Sequence, residues 1–160
     1  MLRIGLGQDI HRLVRGRKFM AGGVELVHET GTLGHSDGDF LCHAIIDALL
    51  GAAALGDIGE LYPDTDEKYR DSDSILLLKD SWERVKKEGW SLVNLDCLIN
   101  CEKPKILPYR ERIQKSIAKA LECNEEHVFI KAKTREGMGH IGRGEAAEAI
   151  VVCLLERRDG

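Results

Sequence analysis

GHSDGDFLCHAIIDALLGAAALGDIG, residues 34–59, contains the clearest helical pattern in the chain. Apolar residues recur there at the spacing of one buried helix face, at Leu41, Ile45, Ala48, Leu49 and Ala52. Ser36 or Asp37 can cap the start of such a helix, and Gly56 is a suitable stop. The stretch therefore predicts a central helix over residues 37–55 that packs one face into a core.

Elements predicted on both sides of this helix indicate the fold class. Before it, we expect a strand over residues 3–12 and a hairpin over 18–27 that turns at Gly22-Gly23. After it come a carboxylate-rich loop over 57–72, a helix over 72–87, a strand over 91–101 and a helix over 109–121. Strands over 128–133 and 147–155, separated by a glycine-rich loop over 136–144, complete the pattern. We therefore predict an α/β (α+β) fold, a single compact domain over residues 1–160 with a small β-sheet and helices packed on one face.

Composition excludes several classes of protein. The 160 residues suit one domain, and 43% hydrophobic residues, 31% charged residues and 3 prolines indicate a soluble globular protein. A formal net charge of −4 gives no general attraction for nucleic acid. The longest strongly apolar stretch, residues 48–55, is much shorter than the roughly 20 residues of a membrane span. Five cysteines without a Cys-x-x-Cys pair, and a start that lacks a secretory signal, predict a reduced, cytoplasmic protein.

Asp9, His11 and His43 form a candidate metal site. Asp9 and His11 are two residues apart on a predicted strand, so their side chains project from the same face. His43 on the central helix offers a third ligand, and one carboxylate with two imidazoles suits zinc with an open fourth position. The alternative for Asp9 and His11 is a surface pair near a strand end. Asp47, one turn beyond His43, either orients the His43 ring or is a solvated helix residue.

Other polar groups could bind phosphate or hydroxyl groups. His35 and Ser36 precede the central helix, where free backbone N–H groups favour anions, although the nearby carboxylates of Asp37 and Asp39 can simply cap the helix. Loop carboxylates could bind a polyol or only stabilise turns, at Asp57, Asp64 and Asp66. Two groups of cations could neutralise phosphate or only aid solubility: Lys103 and Lys105 on the bend at Pro104, and Lys131, Lys133 and Arg135 around Thr134. The glycine-rich loop lacks the strand-to-helix order of a dinucleotide site.

Seven motifs carry a family resemblance. They are GQDIHR at 7–12, GHSDGD at 34–39, LGAAALGDIG at 50–59, PDTD at 63–66, EKPK at 102–105, KAKTRE at 131–136 and GRGE at 142–145. In this order, and over essentially the entire chain, they closely resemble the 2-C-methyl-D-erythritol 2,4-cyclodiphosphate synthase family.

The resemblance implies an enzyme of the non-mevalonate isoprenoid pathway. It would convert 4-diphosphocytidyl-2-C-methyl-D-erythritol 2-phosphate into 2-C-methyl-D-erythritol 2,4-cyclodiphosphate and release CMP, as a phosphorus–oxygen lyase. The 2-phosphate would attack the β-phosphorus within the same molecule. The resemblance further implies a homotrimer in which each site lies between neighbouring subunits.

The resemblance also implies roles for individual residues. Asp9, His11 and His43 would hold zinc, and Glu136 would help to hold magnesium or manganese. His35 and Thr134 would stabilise the transition state. The implied substrate contacts are Asp9, Ile10, His11, His35 and Ser36; Asp57, Ile58, Gly59, Tyr62, Pro63, Asp64, Thr65 and Asp66; Cys101, Glu102, Lys103, Pro104, Lys105, Ile106 and Leu107; Lys133, Thr134, Arg135 and Glu136; and His140 and Arg143.

Three residues depart from the family's usual pattern. Gln8 stands where an aromatic residue is usual, Lys133 where threonine is common and His140 where phenylalanine is common. His140 and Arg143 lie in the region that approaches the family's trimer axis, near a cavity associated with isoprenoid diphosphate binding. Two other functions stay open: a metal-dependent phosphohydrolase, and a catalytically silent binding module for isoprenoid or nucleotide phosphates.

Overall fold

A five-stranded mixed sheet organises the chain in a computed structural model that describes residues 1–157. In chain order its strands are β1 (Leu2–Arg15), β4 (Thr30–Leu33), β5 (Ser91–Asn100), β6 (Val128–Lys133) and β7 (Ala146–Glu156). Across the sheet the order is β4-β1-β7-β5-β6, and only the β5–β6 pair is parallel. Strand β4, which pairs with the far end of β1, was not predicted, because its four residues TGTL show no alternation long enough to detect.

A small hairpin of β2 (Phe19–Ala21) and β3 (Val24–Leu26) forms a second sheet, so the predicted hairpin is confirmed. Its turn residues Gly22 and Gly23 have φ values of +61° and +75°, which only glycine adopts without strain. The buried carboxylate of Asp39 accepts the N–H groups of Gly22 at 2.8 Å and Gly23 at 2.6 Å. The hairpin is therefore fastened to the start of the central helix.

Helices cover one face of the large sheet, as predicted. They are α1 (Phe40–Ala53), α3 (Ser74–Lys87) and α4 (Arg110–Ala120), with short helices α2 (Ile58–Leu61) and α5 (Gly139–Gly142) inside the two segments predicted as loops. Helix α1 begins later than predicted because Asp39 is its N-cap and accepts the Cys42 N–H at 3.0 Å. The central helix and the α+β fold class are thus confirmed, with α1 at the centre of the core.

Strand β1 packs against α1 through glycines rather than through its apolar side chains. A Cβ atom on Gly7 would stand 1.8 Å from the carbonyl oxygen of Ala44, and one on Gly5 would stand 1.8 Å from that of Ala48. Only glycine therefore permits this distance between helix and sheet. The apolar residues Ile4 and Leu6 point away from the core, since they are 74% and 67% exposed.

The sheet consequently presents an apolar outer face. Leu6 is the register partner of Val152 on β7, and Phe129 lies two strands further along the same face. Its exposed apolar members are Leu2, Ile4, Leu6, Ile10, Phe129 and Val152. An uncovered apolar surface of this kind typically marks an interface with another molecule. Separately, across residues 1–157 no helix is both long and apolar enough to span a bilayer.

Candidate metal centre and substrate cavity

Three ligating side chains converge between β1 and α1. Asp9 and His11 share the inner face of β1, as their spacing predicts, and His43 reaches them from α1. Asp9 Oδ2 lies 3.0 Å from His11 Nδ1 and 3.0 Å from His43 Nδ1. One ligand atom from each residue lies within 4.8 Å of the others. The group could therefore hold one metal ion.

The donor set and its surroundings fit a divalent metal. The buried Nδ1 atom of His11 has no hydrogen-bond partner, although it stands 3.0 Å from Asp9 Oδ2. An unsatisfied buried nitrogen beside a carboxylate and a second imidazole is what a tetrahedral ion with nitrogen and oxygen ligands would satisfy. Three protein ligands leave one position for water or substrate.

Charge interactions shift the pKa values of two of these groups. Burial is the largest influence on Asp9 and raises its pKa, but the two imidazoles together outweigh burial and leave the pKa below its usual value. For His43, burial is again the largest influence and lowers the pKa. The neighbouring carboxylates, Asp9 first, outweigh burial and leave the pKa of His43 raised.

Backbone shape around the cluster depends on the GHSDGD motif. A Cβ atom on Gly34 would stand 2.8 Å from His11 Nε2, so glycine lets the loop pass close to the imidazole. Gly38 has a φ of +75° and would place a Cβ atom 2.6 Å from the Thr32 carbonyl oxygen. The two glycines therefore let this loop fold tightly between β4 and α1.

The outer nitrogen of His43 contacts serines rather than Asp47. His43 Nε2 lies 2.9 Å from Ser74 Oγ and 3.1 Å from Ser36 Oγ. Asp47 instead accepts the backbone N–H of Ile58 at 2.8 Å, which holds α2 against α1. The hypothesis that Asp47 orients the His43 ring is therefore wrong, because its carboxylate is engaged by the α2 backbone. Ser74 was not predicted as a site residue, because it is 31 residues away from His43.

A cavity of about 630 Å³ opens beside the metal ligands. Predicted site residues that line it are His11, His35, Ser36, His43, Ile58, Gly59, Tyr62, Pro63, Asp64 and Thr65. Residues not predicted also line it, namely Gly34, Tyr69, Ser72 and Leu77. Tyr62 fastens this wall to α3 by donating to Asp80 Oδ2 at 2.5 Å, and burial together with Asp80 raises its pKa to about 12.

The remaining loop carboxylates have structural partners at the cavity's edge. Asp57 is the N-cap of α2 and accepts the Glu60 N–H at 2.9 Å. Asp66 accepts the Lys68 N–H at 3.0 Å, and its carbonyl oxygen lies 3.4 Å from His35 Nε2. Asp57 and Asp66 therefore stabilise turns, as one of the two alternatives predicts, and both lie close enough to the cavity for the other alternative, polyol binding.

A second group of predicted residues gathers where the parallel strands β5 and β6 end. The Cys101 N–H donates to the Lys133 carbonyl oxygen at 3.1 Å, and the Arg135 N–H donates to Glu102 Oε2 at 3.1 Å. Thr134 Oγ1 donates to Glu136 Oε1 at 3.1 Å. The other predicted substrate contacts of this segment follow Cys101 and Glu102 directly in the chain, at Lys103, Pro104, Lys105, Ile106 and Leu107. A cavity of about 510 Å³ borders this group and includes Ile10, Thr134, Arg135, Glu136 and His140.

The two groups lie on opposite sides of β1. Asp9 and His11 face α1, whereas Ile10, which borders the second cavity, is on the exposed outer face. Within residues 1–157, the metal-ligand cluster contains neither Glu136 nor Thr134. A single chain therefore does not bring all the predicted site residues into one cavity.

Residues that depart from the family pattern make specific contacts. Gln8 Nε2 donates to Glu148 Oε1 at 2.6 Å, and Asn100 Nδ2 donates to Glu148 Oε2 at 2.9 Å. His140 Nδ1 lies 2.7 Å from Glu145 Oε2, and Arg143 Nε donates to Glu145 Oε1 at 2.8 Å. These contacts with Arg143 and His140 lower the pKa of Glu145 to about 2. The Lys133 side chain is exposed at the end of β6.

Comparisons with known proteins agree with this geometry. The YgbB family model matches residues 2–156. A protein of Treponema denticola named 2-C-methyl-D-erythritol 2,4-cyclodiphosphate synthase is 55% identical over 154 residues, which cover 96% of each chain.

Solved structures of such proteins have the same fold. In the structure titled "IspF (Plasmodium falciparum) CDP complex", the match has a TM-score of 0.87 and 32% identity and covers 99% of this chain and 97% of that one. The bifunctional IspDF of Campylobacter jejuni matches with a TM-score of 0.95 and 38% identity, and this chain, 99% of which is matched, spans 43% of it. The chain therefore belongs to the YgbB family, together with proteins named 2-C-methyl-D-erythritol 2,4-cyclodiphosphate synthase.

Proposed function

We propose that this protein is the cyclase of its family. It would convert 4-diphosphocytidyl-2-C-methyl-D-erythritol 2-phosphate into 2-C-methyl-D-erythritol 2,4-cyclodiphosphate and release CMP. The observation that carries the proposal is the Asp9, His11 and His43 cluster, which opens into a cavity walled by the loop that follows α1. Relatives that carry the synthase name cover nearly the full length of this chain, and one solved relative is a CDP complex.

The reaction needs charge neutralisation and alignment more than proton transfer. The 2-phosphate and the β-phosphorus belong to one molecule, and well-oriented intramolecular reactions reach effective molarities of about 10⁵ to 10⁸ M. The cavity would fold the substrate so that the 2-phosphate oxygen meets the β-phosphorus in line with the departing CMP. His35 and Ser36 at the cavity wall would bind phosphate oxygens, and Asp64 would accept hydrogen bonds from erythritol hydroxyls.

Two kinds of divalent ion would complete the charge balance. Zinc on Asp9, His11 and His43, together with magnesium or manganese held with the help of Glu136, would supply positive charge against the diphosphate. The Thr134 hydroxyl, which donates to Glu136 in this structure, would turn to donate to a phosphate oxygen of the bound substrate. The segments at 101–107 and 133–136 would hold cytidine, largely through backbone groups at the ends of β5 and β6.

We further propose a homotrimer whose sites lie between subunits. The cytidine-binding group and the metal cluster are on opposite sides of β1, so one chain's cluster would be completed by a neighbour's 133–136 segment. The apolar face that includes Ile4, Leu6 and Val152 is exposed in the single chain and would be buried between subunits in the trimer. Burial of the same face in every copy suits a closed ring of identical subunits.

Subunit mixing tests the shared site. We expect His43→Ala and Glu136→Ala to be inactive alone, because each removes one half of every site. Mixed trimers would recover part of the activity, since some interfaces would join an intact His43 to an intact Glu136. Absence of recovery in mixed trimers verified by mass would refute a site shared between subunits.

A charged substitution tests the assembly itself. We expect Leu6→Asp to yield monomers in sedimentation experiments, because it places a carboxylate on the apolar face. Leu76→Asp is a matched control, since Leu76 is also exposed (58%) but belongs to α3 on the opposite side of the sheet. A trimeric Leu6→Asp variant, or an unmodified protein that is monomeric, would contradict the proposed interface.

CMP release tests the activity. We expect the protein to release CMP from the cytidine-diphosphate substrate with a cyclic product, to lose this activity when zinc is removed, and to regain it when zinc returns. A phosphohydrolase would instead incorporate oxygen from ¹⁸O-labelled water into its product. A zinc-loaded trimer without turnover would point to the silent binding module. A cytoplasmic location is part of the proposal and is supported by five free cysteines, all within residues 1–157.

A further inference from the structure

The imidazole of His43 contacts two different environments through its two nitrogens. Nδ1 faces the metal cluster and lies 3.0 Å from Asp9 Oδ2. Nε2 faces two hydroxyl groups, Ser74 Oγ at 2.9 Å and Ser36 Oγ at 3.1 Å. A neutral imidazole carries one proton, so whichever nitrogen holds it cannot be the metal ligand.

A carboxylate beyond Ser74 sets the direction of this hydrogen bond. Ser74 is fully buried at the first residue of α3, and its Oγ donates to Asp37 Oδ1 at 2.5 Å. The Ser74 backbone N–H also donates to Asp37 Oδ2 at 3.1 Å, and Asp37 Oδ1 accepts the Asp39 N–H at 3.1 Å. A carboxylate offers only acceptors, so the single hydroxyl proton of Ser74 goes to Asp37.

The Ser74 oxygen can then only accept from His43. Once Asp9 binds a metal ion instead of accepting from His43, the proton of the neutral imidazole therefore belongs on Nε2, and the lone pair of Nδ1 is free to bind the same ion. Ser36 does not decide this direction. Its oxygen accepts the Gly38 N–H at 3.3 Å, but its own proton is not committed to a carboxylate.

We propose that Ser74 and Asp37 are positioning residues that select the zinc-binding tautomer of His43. The proposal rests on the zinc site of the proposed function. Metal-bound histidines commonly donate their second N–H to a carboxylate. Here the buried hydroxyl of Ser74, 31 residues from His43 and 37 residues from Asp37, relays that bond from His43 to Asp37. The same contact joins the start of α3 to α1, so the fold of the 57–73 segment determines whether His43 is correctly oriented.

Zinc affinity of Ser74 variants is the first test. We expect Ser74→Ala to weaken zinc binding by about 10- to 100-fold in competition with a chromophoric chelator, the range typical for loss of such a partner. Ser74→Thr keeps the hydroxyl and is expected to restore most of the affinity. Ser81→Ala is the matched control, because Ser81 is an equally buried α3 serine whose hydroxyl contacts Tyr62 at 2.9 Å. Its zinc affinity is expected to match that of the unmodified protein.

Nitrogen NMR of the unmodified protein tests the tautomer directly and does not depend on a variant folding. In zinc-loaded, ¹⁵N-labelled protein, we expect the His43 Nε2 signal to carry a proton and Nδ1 to show the shift of a metal-bound nitrogen. A protonated Nδ1, or zinc on Nε2, would overturn the inference.

The outcomes separate this inference from the proposed function. Wild-type zinc affinity in folded Ser74→Ala would overturn the inference while leaving the zinc site and CMP release intact. Equal losses in Ser74→Ala and Ser81→Ala would show a general loss of stability and would also overturn it. An unmodified protein that binds no zinc would overturn the metal centre of the proposed function, and the inference with it.

Discussion

Gly7→Ala should separate the two elements that carry the metal ligands. The added Cβ atom would stand 1.8 Å from the Ala44 carbonyl oxygen, whereas ordinary contact begins at 3.4 Å. Because the obstacle is helix backbone, α1 must move away from β1 by up to about 1.6 Å, or β1 must bend by a comparable amount. His43 is next to Ala44, so its distance to Asp9 changes with the same movement.

The expected loss follows from that displacement. Overpacking of a close-packed interior costs about 1–3 kcal/mol of unfolding free energy, and a rigid backbone obstacle belongs at the upper end. Zinc binding tolerates changes of only about 0.2 Å in the distances to its ligands, so zinc affinity should fall more steeply than the unfolding free energy. Denaturant unfolding, followed by the fluorescence of the buried Trp82 and Trp90, measures the unfolding free energy. Competition with a chelator measures the zinc affinity.

Gly51→Ala is the matched control on the same helix. A Cβ atom on Gly51 meets nothing within 4 Å, so this substitution should raise the unfolding free energy by about 0.5–1 kcal/mol and leave zinc binding unchanged. A Gly7→Ala variant that is as stable as the unmodified protein and binds zinc equally well would show that glycine does not set the β1–α1 distance.

Three further predictions concern the site. His43→Ala should lose zinc and activity with a circular dichroism spectrum like that of the unmodified protein, since an open three-ligand site does not hold the core together; an unfolded variant would indicate a structural metal. In zinc-free buffer, the stability advantage of the unmodified protein over this variant should be greatest between pH 3.8 and 6.5, the ordinary pKa values of Asp9 and His43. The advantage should decrease below pH 3.8, as Asp9 is protonated at its lowered pKa, and above pH 6.5, as His43 loses its proton at its raised pKa. Denaturant unfolding at a series of pH values measures it. Lys133→Thr should leave KM for CMP release nearly unchanged, because the backbone at this position, not the exposed side chain, holds Cys101; a large KM change would show that the side chain contacts the nucleotide.

Local patterns predicted the elements that are long or have a distinct turn. The period of apolar residues around Ile45 identified α1, and Gly22-Gly23 identified the hairpin, because both signals depend on neighbouring residues. The four-residue strand β4 was missed, since its pairing partner lies on β1. Local pattern did not indicate which face of β1 is buried, because this depends on the helix backbone that occupies one side of the strand and admits only glycine there.

The metal ligands were also predictable from residue type and short spacing. Asp9 and His11 share a strand face through their spacing alone, and the imidazole of His43 is a third donor of the type that suits the same ion. The partner of the His43 ring was not predictable from helical spacing, which indicated Asp47. Ser74 reaches the ring only after the chain has returned from the loop beyond α1, and the Asp47 carboxylate is engaged by Ile58.

The amino-acid sequence thus determined the kinds of elements, the family and the donor set of the metal centre, because these depend on residue type and on spacing over a few positions. The tertiary structure alone decided which face of β1 is buried, which hydroxyl orients His43, and that Glu136 lies on the other side of the sheet from Asp9. Each of these depends on backbone groups and side chains that are distant in sequence, and packing brings them together only when the whole sheet and its helices have formed.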